Sequence, residues 1–257
     1  MAGKNAVAKT VKSALQLYRN SFKICFMLSM FLAVVSECFK VYAMRFGLYE
    51  AVAQYLKAGT INESRITHNG LLVSIAILSV ISVVVVYALI VCIGILQGQN
   101  REKCFQTGDF NNAWQCFRRH FWCFIGAFIL NVFLWGLGSL LSLIGIWLVI
   151  SFTFVLFPVV LAEGLGPFAG FRENLRRIRP HIAYVLQLGL VVMLLLLLKV
   201  FLYSLLTGLS GFDRIEFGVE HVLIIFVDAL VLPFVLMLSV AAYIELNHSD
   251  DLPMSRK

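Results

Sequence analysis

Four charged residues lie inside long apolar runs of the sequence, and they are the residues most able to do chemistry: Glu37, Lys40, Lys199 and Asp228. An ionised side chain surrounded by hydrocarbon costs several kcal/mol unless an opposite charge pairs with it or the side chain reaches water. The four residues therefore predict one of two things. They form a single polar cluster that carries a proton, an ion or a headgroup, or they form ion pairs and extended lysines that only fix packing.

The spacing of these residues predicts which of them can meet. Glu37 and Lys40 are three positions apart, so on a helix their side chains lie on one face and can pair. Lys199 lies near the end of one apolar run and Asp228 near the start of the next. At a rise of 1.5 Å per residue, both then lie roughly 10–12 Å from the same end of their helices. Neighbouring helices could bring them together.

The composition indicates what surrounds these charges. Of the 257 residues, 60% are hydrophobic and 14% are charged, whereas about a quarter of the residues of a typical soluble domain are charged. There is too little charge to cover a soluble core of this size. We therefore expect lipid to be the solvent for most of the surface.

Six apolar runs are long enough to cross about 30 Å of hydrocarbon as helices. Glu37 and Lys40 interrupt the first run, and the charge-free stretch 121–162 is long enough for two crossings. Glycines within 136–145 predict the turn that divides this stretch. The predicted spans are approximately 22–44, 71–97, 121–141, 143–163, 183–207 and 221–246.

The basic residues are distributed unevenly between the two sides of these spans. Fifteen Lys and Arg residues flank one side, which holds both termini, and four flank the other. Lys and Arg are retained preferentially on the cytoplasmic side of a membrane. We therefore expect both termini to be cytoplasmic.

Three basic segments on that side each precede a pair of spans and carry apolar residues at helical spacing. This pattern predicts amphipathic surface helices, so the expected fold is all-α, with six transmembrane helices as three hairpins, each preceded by such a helix. A cation near an anionic leaflet contributes about 1 kcal/mol to binding. The predicted contacts to anionic headgroups of membrane lipids are Arg19, Arg118, Arg119, Arg172, Arg176 and Arg179. Alternatively, these segments only orient and cap the bundle.

The first two basic segments also resemble each other. Residues 14–22 and 113–121 both follow the pattern A-x-Q-x-aromatic-R-x-x-F. The third segment keeps only Leu175-Arg176 at the aromatic-Arg position. The pattern indicates three repeated units, although chance similarity between short basic segments also accounts for it.

Three further residues predict local features of the spans. Pro158 and Pro233 remove backbone hydrogen bonds, so each should kink its helix. Asn131 lies mid-span and should hydrogen-bond between helices.

Several function classes have no support in the sequence. It lacks the HExxH, GxSxG, Walker and GxGxxG motifs, and no CxxC pair occurs among its six cysteines. Its five histidines are scattered. We therefore expect no enzymatic activity, no cofactor and no metal. Nucleic acid is not an expected partner, because the basic residues flank apolar runs and leave no room for a recognition fold.

One stretch resembles a known family. In residues 157–175, FPVVLAEGLGPFAGFRENL, a Pro-bearing apolar run is followed by an acidic residue, glycines and a basic helix rich in small residues. This resembles the YciC-type uncharacterised bacterial inner-membrane proteins, and also the membrane domain attached to some glycerophosphodiester phosphodiesterases. Residues 17–22, LYRNSF, fit the same grouping. Arg172-Glu173-Asn174 departs from the family, which often has Arg-Ser and a polar residue there.

The resemblance implies a multi-pass protein of the bacterial inner membrane. It does not imply phosphodiesterase activity, because that family's active site lies in a separate soluble barrel. Our leading hypothesis is a non-enzymatic protein that supports envelope or lipid homeostasis through its basic helices. The alternative is a transporter of ions or small solutes that uses the four intramembrane charges. A third possibility is an assembly subunit with a membrane protein partner.

Overall fold

The computed structural model describes residues 2–45, 69–99, 107–210 and 219–250. Most of the backbone in these ranges is helical, with short non-helical connections at 140–141, 154–155 and 164–166, and the described residues contain no strand. We number the α-helices in chain order, and a short 3-10 helix, Arg179–His181, lies between the sixth and the seventh. The α-helices are α1 (Ala2–Arg45), α2 (Asn69–Gln99), α3 (Thr107–Ser139), α4 (Ser142–Thr153), α5 (Leu156–Glu163), α6 (Pro167–Ile178), α7 (Ile182–Ser210) and α8 (Val219–Asp250).

Six stretches of these helices are long and apolar enough to cross a membrane. The fourth consists of α4 and α5 together, and the fifth consists of α6, the 3-10 helix and most of α7. The stretches are Ala6–Arg45, Val73–Gly98, Asp109–Ser139, Ser142–Glu163, Pro167–Leu205 and Glu220–Asn247. The chain is thus an all-helical protein whose six apolar helical stretches fit a multi-pass membrane protein.

The first and last helices, α1 and α8, pack side by side in opposite directions. Lys9 Nζ lies 3.0 Å from Glu245 Oε2, and the rings of Phe26 and Phe226 lie 5.9 Å apart. We call the end of the bundle with the start of α1 and the end of α8 the terminal end. The other end is the opposite end.

The two helices of each predicted hairpin are in contact, but the most extensive packing joins helices of different hairpins. α1 contacts α2, α3 contacts α4, and α7 contacts α8, but α1 packs most extensively against α8. Helix α2 lies at the centre, where Val86 and residues 88–95 are buried. One shared core therefore joins helices from all parts of the chain.

The three basic segments are continuous with the following spans to different degrees. Nothing interrupts α1, because residues 4–45 contain neither Gly nor Pro, and so the first segment is not a separate helix. The second segment is part of α3, which bends at His120, where φ is −111° and ψ is 16°. The third segment is a separate helix, α6, divided from α7 by the 3-10 helix at Pro180.

The two similar segments have similar local packing. Ala14 and Ala113, which begin the shared pattern, are both fully buried. The aromatic pairs that follow, Tyr18 with Phe22 and Phe117 with Phe121, each make an edge-to-face contact with centroids 5.3 Å apart. The shared residues therefore occupy equivalent structural positions.

Small residues allow the closest helix contacts. Gly94 and Gly98 form a GxxxG pattern on α2 that faces α8. A Cβ atom at Gly94 would lie 2.9 Å from Met237 Sδ and 3.0 Å from Val240 Cγ2. In lipid, helices associate through such close van der Waals packing, because burying apolar surface between helices contributes little free energy when the surrounding lipid is itself apolar. These glycines consequently set the distance between α2 and α8.

The turn and the helix break at Pro158 lie where the sequence predicts them. Leu140 and Leu141 form the turn between α3 and α4, inside the predicted range 136–145. The helix also breaks between Thr153 and Leu156, since Pro158 has no N–H to donate to the carbonyl of Phe154. At Pro233, by contrast, α8 runs on without interruption.

We predict that Gly145→Ala destabilises the protein, because its Cβ would overlap the carbonyl oxygen of Gly138 across the turn. Overpacking of this kind costs about 1–3 kcal/mol. Gly136→Ala is the matched control, since nothing lies within 4 Å of a Cβ there. Thermal unfolding in detergent should show a lower midpoint for Gly145→Ala only. Equal midpoints for the two variants would contradict the close approach.

Candidate functional site

The intramembrane charges form ion pairs near the opposite end of the bundle. Lys199 Nζ on α7 lies 2.6 Å from Asp228 Oδ1 on α8. The hydroxyl of Tyr203, one helical turn after Lys199, donates a hydrogen bond to the same carboxylate oxygen. The common depth that the sequence predicts for Lys199 and Asp228 brings their side chains into direct contact. Asp228 thus has two partners on α7, Lys199 and Tyr203.

A second ion pair lies beside the first. Lys40 Nζ on α1 lies 2.8 Å from Glu37 Oε2. The ring of Tyr203 lies between the two lysines, with its centroid 5.8 Å from Lys40 Nζ and 5.2 Å from Lys199 Nζ. All four charged residues predicted from the sequence are therefore brought together. Tyr203 connects the two pairs, and neither its type nor its position singled it out in the sequence.

His221 extends this charge cluster on α8. Its Nε2 atom lies 3.9 Å from Glu37 Oε1, and its Nδ1 atom lies 3.6 Å from Glu220 Oε1. With these two residues the cluster contains three carboxylates and two ammonium groups, so it has one excess negative charge when the imidazole is neutral. No pattern in the sequence predicts a role for His221, since it is one of five scattered histidines and its partner Glu37 is distant in the chain.

Burial makes the pairing of Glu37 necessary. The residue is only 5% exposed, and a buried ionised carboxylate is costly without partners. Two helices supply partners for Glu37: α1 carries Lys40 and α8 carries His221. Tyr203 on α7 contacts Lys40 and Asp228. The cluster therefore ties α1, α7 and α8 together at this end of the bundle.

A cavity of about 210 Å³ extends from Lys199 into the middle of the bundle. Most of its lining is aliphatic or aromatic, but Asn131 and Ser239 also line it. The side-chain oxygen of Asn131 is buried and has no hydrogen-bond partner, so the predicted interhelical bond is not formed by this atom. Ser239 Oγ is buried without a partner as well.

A different polar network lies at the terminal end and centres on Arg177 of α6. Its guanidinium lies 2.7 Å from Glu163 Oε1 and 2.9 Å from Glu173 Oε1, and it donates a 2.5 Å hydrogen bond to Asn247 Oδ1. The ring of Tyr243 stacks beneath it at 5.5 Å, and its hydroxyl donates to Glu163. Arg177 thus fastens α6 to α5 and α8. The sequence predicts headgroup contacts at the neighbouring Arg172, Arg176 and Arg179, but no pattern in it predicts this role for Arg177.

The exposed side of α6 and of the 3-10 helix after it carries the other cations. The side chain of Arg176 is 72% exposed, against 10% for that of Arg177, and it pairs with Glu173 at 2.6 Å. Arg172 and Arg179 are exposed and border an open groove that Phe168 also lines. The remaining predicted headgroup contacts, Arg19, Arg118 and Arg119, are exposed too. The structure therefore places all six predicted cations on the surface.

The described part of the chain contains neither a metal-binding cluster nor a disulfide. No group of three or more His, Cys, Asp and Glu side chains that could hold a metal ion occurs within it. The five cysteines that the structure describes are free thiols, and Cys104 lies outside the described residues.

Comparison of the chain with protein-family models, with curated proteins and with solved structures finds no match. The resemblance of residues 157–175 to YciC-type proteins accordingly stays a prediction. Function has to be inferred from the geometry of this chain.

We predict that Lys199→Met and Asp228→Leu each destabilise the protein by roughly 2–4 kcal/mol, because each leaves an unpaired charge in an apolar bundle. The double variant removes both charges and should cost less than the sum of the two single changes. Chemical unfolding of the four proteins in detergent measures this coupling. A double variant as damaged as the sum would show that the two residues do not stabilise each other.

Proposed function

We propose that the protein is a non-enzymatic membrane protein that binds anionic lipid headgroups at its terminal end and so supports the lipid organisation of the envelope. The observation that carries the proposal is the division of arginines on α6 and the 3-10 helix that follows it. Arg177 is turned inward and neutralised by Glu163 and Glu173, while Arg172 and Arg179 are exposed on the outer face. Anionic headgroups are the complementary ligands for an exposed basic helix next to a membrane.

The attachment of α6 favours this function, since it fixes where the outer cations lie. Asn174 Nδ2 donates a 2.5 Å hydrogen bond to the carbonyl of Phe152, and Ile178 is buried in the bundle core. Gly170 packs against Val160 so closely that a Cβ could not be accommodated without a shift. A helix held by three such contacts presents its arginines at defined positions, which lowers the entropy cost of binding a headgroup.

Aromatic side chains beside the cations support an interfacial position. Phe168 on α6 is strongly exposed, as are Trp114 and Trp122 on α3, which flank Arg118 and Arg119. Tryptophan is enriched where the hydrocarbon of a bilayer meets the headgroups. Together with the bias of basic residues, this favours placing the terminal end at the cytoplasmic face of a bacterial inner membrane, with both termini in the cytoplasm.

We predict that the triple variant Arg172→Gln, Arg176→Gln, Arg179→Gln loses its preference for anionic lipid. Each cation contributes about 1 kcal/mol near an anionic surface, so the preference should fall roughly tenfold or more. Native mass spectrometry of the protein in micelles with equal amounts of phosphatidylglycerol and phosphatidylethanolamine measures the ratio of the two bound lipids.

Arg45→Gln is the control, because Arg45 is an exposed cation at the opposite end of α1. Its lipid ratio should equal that of the unchanged protein, and the unfolding midpoint of the triple variant should stay within a few degrees. An unchanged ratio in the triple variant would reject headgroup binding by α6. The basic helix would then only cap the bundle.

A second candidate function is transport of protons or small cations through the charge cluster. The excess carboxylate among Glu37, Glu220 and Asp228, and the cavity that reaches Lys199, favour it. Ionisable groups that face a cavity inside a membrane are typical of proton and ion pathways.

For transport, we predict a proton flux into proteoliposomes that Glu37→Gln and Asp228→Asn both reduce. A pH-sensitive dye inside the liposomes measures it after a pH jump. Glu173→Gln serves as the control, because this carboxylate pairs with Arg176 and Arg177 at the terminal end. Flux no faster than in protein-free liposomes would exclude a proton pathway.

A further inference from the structure

The open groove on the exposed side of α6 has a volume of about 740 Å³. Pockets that hold small molecules in proteins have volumes of about 300–1,000 Å³, so the groove has room for a complete headgroup. Apolar side chains, among them Leu165, Phe168 and Leu175, form most of its accessible wall. Arginines and Glu173 form the rest. The groove thus combines hydrocarbon with cations, which is the composition that suits an amphipathic anion.

The net charge of the groove matches a ligand with two negative charges. Among the described residues, three arginines but one carboxylate line it, so its net charge is +2. The carboxylate, Glu173, also pairs with Arg177, whose own charge is balanced by Glu163 at 2.7 Å. No excess of negative charge therefore lies behind the groove. A headgroup with a single phosphodiester carries one negative charge and leaves half of the positive charge unbalanced.

The cations of the groove are spaced along it. Arg172 and Arg179 are seven positions apart, about two helical turns, so their backbones lie roughly 10 Å apart along one side. Between them, Arg176 is held 2.6 Å from Glu173 Oε1. Within the described part of the chain, Arg172 and Arg179 have no ion-pair partner. The groove therefore offers two separate positions for an anionic group, one at each of these arginines.

Arginine is suited to bind a phosphate at each position. Its planar guanidinium can donate two parallel hydrogen bonds to phosphate oxygens. The contacts that fasten α6 to the bundle also keep the spacing of the two arginines constant. When two phosphates belong to one molecule, binding of the first raises the effective concentration of the second. A ligand with two linked phosphates should therefore bind more tightly than a ligand with one.

The exposed apolar residues of the groove indicate that this ligand is a lipid. Phe168 is 78% exposed and lies one helical turn before Arg172. Leu175 is 36% exposed and is next to Arg176 in the chain. The hydrocarbon chains of a lipid would cover these side chains, whereas a soluble anion would leave them uncovered. The cations and the apolar wall are thus both matched when the two phosphates are attached to acyl chains.

We propose that the groove selects a lipid with two phosphodiester groups in one headgroup, of the diphosphatidylglycerol class. One phosphate accepts hydrogen bonds from Arg172 and the other from Arg179, and an acyl chain packs against Phe168. This inference rests on the proposed headgroup binding, and it names the class of anionic lipid that the same surface prefers.

Native mass spectrometry can compare tetraoleoyl diphosphatidylglycerol with dioleoyl phosphatidylglycerol, each titrated onto the full chain in micelles of a neutral detergent. A lipid with two phosphates binds about twofold more tightly on statistical grounds alone. Contact at both arginines adds charge-assisted hydrogen bonds, so the ratio of the two affinities should reach about tenfold or more.

Two single variants test the two positions, and a third variant is their control. Arg172→Gln and Arg179→Gln each leave one position intact, so each should still bind phosphatidylglycerol while the affinity ratio falls to about two. Lys12→Gln removes an exposed cation of α1 at the same end of the bundle, outside the groove, and should keep the full ratio. All three side chains are exposed, so the unfolding midpoints should stay unchanged. Equal lowering of the ratio in all three variants would show a long-range effect of charge and reject the two positions.

Two further results would overturn the inference, and a third would also overturn the proposed function. A ratio of about two in the unchanged protein, with both lipids preferred over phosphatidylethanolamine, would retain headgroup binding and reject selection of two phosphates. A high ratio that neither Arg172→Gln nor Arg179→Gln lowers would place the site elsewhere. No preference for either lipid over phosphatidylethanolamine would reject headgroup binding itself.

Discussion

An ionised side chain cannot remain unpaired in an apolar bundle, and this constraint governs the opposite end of the molecule. Asp228 is held by Lys199 and by the hydroxyl of Tyr203, while Glu37 is held by Lys40. Because these residues come from α1, α7 and α8, satisfying the charges also fixes three helices relative to one another. The structural ion pairs and the proposed transport site thus share the same residues, and a measurement of proton flux distinguishes the two roles.

The same constraint divides the cations at the terminal end into two groups. Arg177 lies inside the protein, where two carboxylates, an amide and an aromatic ring surround it. Arg172 and Arg179 lie outside, where the complementary groups have to come from the surroundings. An inward arginine that fastens the helix and exposed arginines on its outer side together make a rigid basic surface, which is the basis of the proposed headgroup binding.

Close packing explains why the cavity stands out. Where Gly94 and Gly98 of α2 meet α8, there is no space even for a methyl group. A short distance away, beside the helix break before Pro158, the bundle leaves 210 Å³ open and the oxygens of Asn131 and Ser239 without partners.

The sequence by itself determined the helical class, the six apolar stretches, the turn at 136–145 and the common depth of Lys199 and Asp228, because these follow from residue periodicity and helical rise. Only the tertiary structure decided that α1 packs along α8, that Tyr203 and His221 join the charges, and that Arg177 rather than Arg176 turns inward. Such contacts depend on which faces of distant helices meet, and helical periodicity fixes the faces of one helix without specifying the partner of each.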